Sequence, residues 1–267
     1  MIRAGIALSF TACAFEPPPA IPTDARPDTI DVPIDQPPSS PRVTTGLIGF
    51  WTFNDGAGST TAIDTAPSGA AVPLKIEVGG AVGAPSFTGG TVLATTPARM
   101  ISAKSTHLPS DCTTGVTLEM WLRPHTDMQG TATEPRFVAG LATNVAKRDV
   151  VLLHAGNTWL GRVRTTAAES GTPSLVSVSA PTSFAMTHVV LVADGAQRKL
   201  YVNNIPEAID PVTGPPLAWD LTSVMALFDE PAGGRQWVGE FAMVALYQRG
   251  LDPAEVQQNF DAGADAP

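Results

Sequence analysis

Short runs of alternating apolar and polar residues, bounded by Gly, Pro, Asn or Asp, recur along the chain from residue 47 onward. A period of two predicts half-buried β-strands, because successive side chains of a strand point to opposite faces of its sheet. In 116–123 (VTLEMWLR), Val, Leu, Met and Leu alternate with Thr, Glu, Trp and Arg, as expected of an antiparallel sheet. The other predicted strands are 47–53, 150–154, 159–164, 188–193, 199–202 and 238–247.

A single helix is predicted near the C-terminus. Asp252 provides an N-cap, Pro253 the first helical position and Glu255 a capping-box partner, while Val256 and Phe260 supply apolar contacts. No helical period separates the predicted strands, which excludes βαβ crossovers and a parallel sheet. The sequence therefore predicts an all-β fold, an antiparallel two-sheet sandwich with one short C-terminal helix.

Composition agrees with one β-rich domain and argues against two kinds of partner. The 267 residues are 43% hydrophobic and 15% charged, with 24 Gly and 25 Pro to form turns. Nucleic acid is not expected as a partner, because the net charge is −9 and the 16 basic residues are scattered. The apolar runs are shorter than the about 20 residues of a spanning helix, so membrane contact is predicted only through an N-terminal lipid anchor.

The N-terminus has the order of an export signal. Arg3 precedes the short apolar stretch 4–12, and two small residues then precede Cys13. The segment resembles a bacterial lipoprotein signal, which implies that 1–12 are a signal peptide and that Cys13 is lipidated. Phe10 lies three positions before Cys13, where bacterial lipoprotein signals prefer Leu. An ordinary cleaved signal or a misplaced start, with Cys13 incidental, is the alternative.

A proline-rich segment follows this signal. Residues 16–41 hold nine prolines and five acidic residues, and proline both fixes φ and removes a backbone donor. We therefore assign 13–43 to a disordered tether, 44–263 to the folded domain and 264–267 to a tail. The predicted location is that of an exported protein, either a membrane-anchored lipoprotein or an extracellular or periplasmic protein.

Five segments in order resemble the laminin-G-like, concanavalin A-like jelly-roll domains of bacterial surface proteins. They are 46–58 (GLIGFWTFNDGAG), 64–69 (DTAPSG), 116–124 (VTLEMWLRP), 187–204 (THVVLVADGAQRKLYVNN) and 239–251 (GEFAMVALYQRGL). The resemblance implies that the sandwich is a jelly roll. The aromatic, Gly and Asp residues of these motifs build strands and turns and specify no ligand.

Catalytic carboxylates are not evident in the predicted strands. The fold resemblance includes glycoside hydrolases, which use two carboxylates about 5 to 10 Å apart. Glu119 has Trp121 as its same-face neighbour, and Glu240 is alone on its strand. The four histidines lack the spacing of a zinc site, and His188 is expected to be a packed residue. No catalytic residue is therefore predicted.

Calcium is the one cofactor that the resemblance brings into view, because related jelly rolls often hold a structural ion with loop carboxylates and carbonyls. Asp55 and Asp64 are the candidate ligands, with Asn54 nearby. Many relatives carry an Asp-Glu pair in the closing strand where this chain has Ala242 and Met243. Turn capping by the two aspartates is the alternative interpretation.

Three tryptophans are candidate ligand-binding residues. Trp159, Trp219 and Trp237 lie near predicted loops or strand ends, where an exposed ring stacks on a sugar. The alternative is that each ring belongs to the core.

The sequence thus predicts an exported, non-catalytic module that binds a polysaccharide or an envelope or surface protein. A structural or adhesive envelope lipoprotein is the alternative, and a glycoside hydrolase or polysaccharide lyase of the same fold is a third hypothesis.

Overall fold

The computed structural model describes residues 41–77, 82–104, 112–211 and 214–264, which belong to one compact unit. Its elements in chain order are β1 (Leu47–Trp51), β2 (Thr61–Ala62), β3 (Leu74–Ile76), β4 (Ser86–Phe87), β5 (Val92–Ala94), β6 (Met100–Lys104), β7 (Val116–Pro124), β8 (Arg136–Asn144), β9 (Lys147–Ala155), β10 (Thr158–Val163), β11 (Leu175–Val176), β12 (Thr187–Ala193), β13 (Arg198–Val202), β14 (Ile205–Asp210), β15 (Val224–Leu227), β16 (Gly239–Tyr247) and α1 (Pro253–Ala262).

The strands form two eight-stranded antiparallel sheets. The first sheet has the order β14-β13-β12-β7-β16-β5-β4, with β1 also paired to β16. The second has the order β11-β10-β9-β8-β15-β6-β3-β2. Neighbours that are distant in sequence, such as β7 and β16, show that the sandwich closes by long-range pairing. The predicted all-β fold with two antiparallel sheets and one C-terminal helix is confirmed.

The main core fills the space between the two sheets. The apolar face predicted for β7 is correct, because Leu118 and Met120 are fully buried there, in one cluster with Leu152 and Trp159 of the second sheet. Strand β1 ends two residues earlier than predicted, since Phe53 adopts a φ of 55° and turns the chain. Nonetheless the Phe53 ring stays buried in this core.

The outer face of the first sheet is covered by α1. The helix begins as predicted, with Asp252 accepting a hydrogen bond from the Glu255 N–H and Glu255 returning one to the Asp252 N–H. Val256 is buried against the sheet, and the Phe260 ring stacks on Trp121 at a centroid distance of 5.6 Å. Because α1 covers the outer face of the first sheet, the polar residues of that face are buried too. Among the described residues, no helix is long and apolar enough to cross a membrane.

The folded domain begins earlier than the sequence indicated. Arg42 and Val43, assigned to the tether, are 2% and 9% exposed. The Arg42 guanidinium pairs with the Glu119 carboxylate, and the Val43 N–H donates to Asn259 of α1 over 2.8 Å. The predicted boundary between 43 and 44 is therefore at least two residues too late. At the other end, Ala264 of the predicted tail packs on the cluster under the helix.

Candidate functional site

The outer face of the second sheet, turned away from the core, carries an apolar cluster of its own. Leu153 of β9 lies directly opposite Phe137 of β8 and Leu160 of β10. Directly opposite residues of an antiparallel pair project from the same face. The next residues along, Leu152 and Trp159, belong to the main core. Most of this second cluster is buried, with Phe137 and Leu153 at 0% exposure, and the side chain of Leu160 reaches its edge at 7%.

Small residues occupy the middle of this outer face. Gly140 of β8 lies opposite Val151 on one side and Ala226 on the other. Gly140 has a φ of 149°, and a Cβ there would lie 2.2 Å from the Val150 carbonyl oxygen. The side chain of any other residue would collide with the neighbouring strand, so this position requires glycine.

A cavity of about 390 Å³ opens on the β10–β11 side of the same face. Its volume falls in the range of about 300–1,000 Å³ that is typical of small-molecule sites. The lining combines apolar groups with two hydroxyls and one guanidinium, and it comprises Ala132, Ala155, Thr158, Leu160, Arg162, Pro173, Ser174 and Val176. No Asp, Glu, His or Cys is among these lining residues. The arrangement suits the binding of a polar ring rather than acid–base chemistry.

Arg162 is the charged group of the cavity. Its position opposite Val151 places it on the outer face, and its Nε donates to the Ser174 hydroxyl over 2.7 Å. Burial, together with the positive charge of Arg235, lowers the pKa of the guanidinium. Arg162 remains partly exposed and lines the cavity.

A second arginine, Arg148, lies on the same face. It stands opposite Ala142, a member of the outer cluster, and is 3% exposed. Its Nη2 pairs with the Glu230 carboxylate, whereas its Nε is buried without a hydrogen-bond partner among the described residues. Burial, together with the charges of Arg162 and Arg235, lowers the pKa of Arg148 to about 10.

The segment 229–236, which we call the capping loop, supplies Glu230 and Arg235. Asp229 Oδ1 accepts hydrogen bonds from the backbone N–H groups of Glu230 and Arg235, both over 2.8 Å. The Arg235 carbonyl in turn accepts the N–H of Phe137 over 2.7 Å. Burial raises the pKa of the Asp229 carboxyl. The loop is thereby fixed against β8, beside the outer face.

A separate cavity of about 310 Å³ lies at the end of β7 and β16 in the first sheet. Its carboxylate, Glu240, pairs with Arg123 and accepts the Thr91 hydroxyl over 2.7 Å. The other carboxylate considered from the sequence, Glu119, is fully buried beneath α1. Burial alone would raise the pKa of Glu119, but the charge of Arg42 and a hydrogen bond from His188 lower it to about 2. Glu119 is therefore a structural anion without access to solvent.

The predicted calcium ligands are engaged with the backbone. Asp64 Oδ1 accepts the N–H groups of Phe50 and Ala66 over 2.9 and 3.0 Å, and its Oδ2 accepts that of Val72 over 2.9 Å. Asp55 accepts the N–H of Ile63 over 3.0 Å. Within the described ranges, no three His, Cys, Asp or Glu side chains cluster as metal ligands. Both carboxylate oxygens of Asp64 thus cap a turn, as the alternative interpretation has it.

The three predicted stacking tryptophans are buried. Trp159 and Trp237 are 0% exposed and Trp219 is 5% exposed. Trp237 Nε1 donates to His154 Nδ1 over 3.1 Å, which leaves His154 Nε2 to donate to the Asp127 carbonyl over 3.2 Å. The expectation of exposed rings on a loop rim is therefore corrected, because each ring contributes its area to the core instead.

The predicted signal peptide, the lipidation site Cys13 and nearly all of the tether lie outside the described residues. The arginines of the second sheet were not singled out from the sequence. Arg162 could have been found there, because it occupies an outward position in the alternating run 159–164. Arg148 and Arg235 carry no local signal, since only the folded sheet and the capping loop bring them near Arg162.

The class of protein now follows from the sequence profile as well as the fold. The Laminin_G_3 profile, described as the concanavalin A-like lectin/glucanases superfamily, matches residues 99–257. This match covers more than half of the chain. The chain belongs to that superfamily. No curated protein matches the sequence.

Solved structures with a similar fold include proteins crystallised with sugars. A Trypanosoma rangeli sialidase in complex with sialic acid aligns at 16% identity and a TM-score of 0.56, over 80% of this chain and 32% of the sialidase. The cell entry of botulinum neurotoxin type C is described as dependent on two ganglioside molecules. A structure of this toxin aligns at 11% identity and a TM-score of 0.58, over 81% of this chain and 51% of the neurotoxin chain.

Domain 4 of an extracellular arabinanase from Geobacillus stearothermophilus, in complex with arabinotriose, aligns at 14% identity and a TM-score of 0.54. The alignment covers 82% of this chain and all (100%) of that domain. At these identities the likeness shows the fold alone. The chain spans about a third of the sialidase and half of the neurotoxin chain.

Proposed function

We propose that this protein is a non-catalytic carbohydrate-binding protein whose site is the cavity on the outer face of the second sheet. The observation that carries the proposal is the lining of that cavity. Leu160, Pro173 and Val176 present apolar surface, and Thr158, Ser174 and Arg162 add hydrogen-bonding groups around it. A sugar ring combines an apolar C–H face with peripheral hydroxyls, so this lining complements it on both counts.

The fold comparisons support the same class of ligand. The superfamily is named for lectins and glucanases, and three structural neighbours are described with sialic acid, gangliosides or arabinotriose. The cavity lining lacks the paired carboxylates that most glycoside hydrolases use, which favours binding over cleavage.

The proposal includes the cellular address predicted from the sequence. Lipidation at Cys13 would attach the chain to a membrane, and the proline-rich residues up to 41 would hold the domain away from its surface. A polysaccharide of the envelope or its surroundings is the partner that such a position favours. A structural or adhesive envelope lipoprotein without a small ligand remains the alternative.

A glycan array with the folded domain, with and without EDTA, tests the proposal. We expect an EDTA-insensitive signal that falls about fivefold in Val176→Ser, because the half-exposed Val176 loses apolar contact area. Ile63→Ser is the matched control, since Ile63 is 58% exposed and does not line the cavity. Silence of the folded protein on the array, or equal losses in both variants, would contradict the proposed site. Release of reducing sugar from any polysaccharide would contradict its non-catalytic character.

A further inference from the structure

The outer face of the second sheet concentrates positive charge in an acidic protein. The chain carries 25 acidic against 16 basic residues, yet β9 and β10 place Arg148 and Arg162 on this face, and the capping loop bonded to β8 carries Arg235 beside it. Like charges repel, so a cluster of three costs free energy unless anions compensate it. The compensation that the protein itself provides is incomplete.

Glu230 is the anion that the protein supplies to the cluster. Its carboxylate pairs with Arg148, and both side chains are nearly fully buried. The neighbouring carboxylate of Asp229 is committed to backbone N–H groups and faces Arg99, whose Nη1 lies 3.9 Å from Asp229 Oδ2. Among the described residues Glu230 is ion-paired with Arg148 alone, and Arg162 and Arg235 form no ion pair with a carboxylate.

Two of the arginines retain unused hydrogen-bonding capacity. Arg162 donates through Nε to Ser174, and no described residue accepts from its Nη atoms. Arg148 has a buried Nε with no hydrogen-bond partner in the described part of the chain. Arg235 Nη1 makes one long contact, 3.4 Å, with the Pro135 carbonyl. Buried polar groups are normally paired, so the Arg148 Nε lacks an acceptor, and the partly exposed Arg162 and Arg235 have donors left for a ligand.

We infer that the ligand of this cavity is an anionic carbohydrate whose carboxylate or sulfate group binds Arg162, with Arg148 and Arg235 adding to the local positive potential. This inference rests on the proposed function. A guanidinium offers parallel N–H donors that match a carboxylate or sulfate in a bidentate way. The apolar patch of Leu160, Pro173 and Val176, which lines the same cavity, then contacts the ring that carries the anion.

Matched charged and neutral polymers show whether binding depends on the anionic group or on the sugar alone. Polygalacturonate and its fully methyl-esterified form differ only in the carboxylate charge, and dextran sulfate and dextran differ only in sulfation. We expect the folded protein to bind at least one charged member about tenfold more tightly than its neutral counterpart in isothermal titration calorimetry or affinity electrophoresis. The polymer that binds shows whether the group recognised is a carboxylate or a sulfate.

Charge-neutralising variants locate the contact. Arg162→Gln is expected to weaken binding of the charged polymer about tenfold and to leave neutral glycans within twofold. Arg235→Gln is the second variant, for use if Arg162→Gln proves unstable. Arg123→Gln removes the same charge from a partly exposed arginine of the first sheet, and we expect it to have no effect. The preference for the charged polymer also weakens as salt is raised, because the Debye length shortens.

The outcomes distinguish the two proposals. Equal affinity for charged and neutral polymers, or an Arg162→Gln variant that binds charged polymers as the unmodified protein does, overturns the inference and leaves carbohydrate binding in place. Binding confined to neutral glycans on the array would likewise overturn the inference and leave carbohydrate binding in place. If neither charged nor neutral glycans bind the folded protein, both the inference and the proposed function fall.

Discussion

Arg42 and Glu119, 77 positions apart in the sequence, form an ion pair in which neither side chain is exposed to solvent. The guanidinium also donates to the Gly263 carbonyl, and Asn259 donates to the second carboxylate oxygen of Glu119 over 2.7 Å. The pair therefore fastens the start of the domain, strand β7 and the end of α1 to one another. Its burial makes it a structural element rather than part of a ligand site.

Removing the cation of this pair is expected to destabilise the domain strongly. Arg42→Met leaves Glu119 charged and buried, and breaking one partner of a buried pair typically costs about 3–5 kcal/mol of unfolding free energy. Urea denaturation at neutral pH measures the loss. The control is Arg123→Met, which breaks the partly exposed pair with Glu240 and should cost about 1 kcal/mol or less. A loss from Arg42→Met no larger than that of the control would contradict the structural role.

The buried imidazole of His154 is expected to make folding sensitive to mild acid. Burial lowers the pKa of His154 from 6.5 to about 4, so the unfolded chain binds a proton more readily than the folded chain. The stability tied to the neutral ring is fully present above pH 6.5 and decreases as the pH falls toward 4. At about 1.4 kcal/mol per pKa unit, this group removes about 3 kcal/mol between pH 7 and pH 4.

Unfolding free energies of His154→Gln at several pH values provide the measurement. The variant is expected to be less stable at pH 7, because Trp237 loses its acceptor, and to show a flatter decline toward pH 4. His125→Gln, at an exposed position, should retain the decline of the unmodified protein. A His154→Gln curve parallel to that of the unmodified protein would show that other groups cause the acid sensitivity.

Gly140 is expected to tolerate no side chain. Gly140→Ala adds a Cβ that would lie 2.2 Å from the Val150 carbonyl oxygen, in a backbone conformation that L-residues rarely adopt. We expect a loss of at least about 2 kcal/mol in thermal or urea unfolding. Gly156→Ala is the control, because Gly156 has a φ of 62° and nothing within 4 Å of its added Cβ. Equal losses in the two variants would attribute the effect to backbone conformation alone.

The membrane anchor is tested separately from the fold. In a bacterial host that processes lipoproteins, the chain with its native N-terminus is expected to incorporate radiolabelled palmitate, and Cys13→Ser should abolish the label. Cys112→Ser is the control, because Cys112 is a buried cysteine of the folded domain and its replacement should leave the label unchanged. Labelling that persists in Cys13→Ser would contradict lipidation at this position.

The local patterns were sufficient where a strand or helix follows from short-range chemistry. The alternation in β7 and the capping residues Asp252 and Glu255 were interpreted correctly, since neighbouring positions alone decide them. Strand β8 was missed because register shifts and Gly140 interrupt its alternation. The apolar residues of such a strand no longer fall at every second position, so the pattern fades although the pairing persists.

Side-chain exposure was harder to predict than strand position. The tryptophans near predicted turns, such as Trp159 and Trp237, were possible surface residues by sequence, and packing between the sheets buries them. Asp64 was a candidate cation ligand by sequence, and the structure shows three backbone contacts by which it caps a turn. A sequence shows which groups are available, whereas their partners depend on segments that meet only after folding.

The sequence by itself determined the two-sheet sandwich, the terminal helix and the family resemblance, because hydrophobic period and capping chemistry act over a few neighbouring residues. Only the tertiary structure decided the candidate site. Arg148, Arg162 and Arg235 come from two strands and the capping loop, and they lie in one region because β9 is paired with both β8 and β10 while the capping loop is bonded to β8. Long-range strand pairing places these charges near one another, and no local sequence pattern predicts that placement.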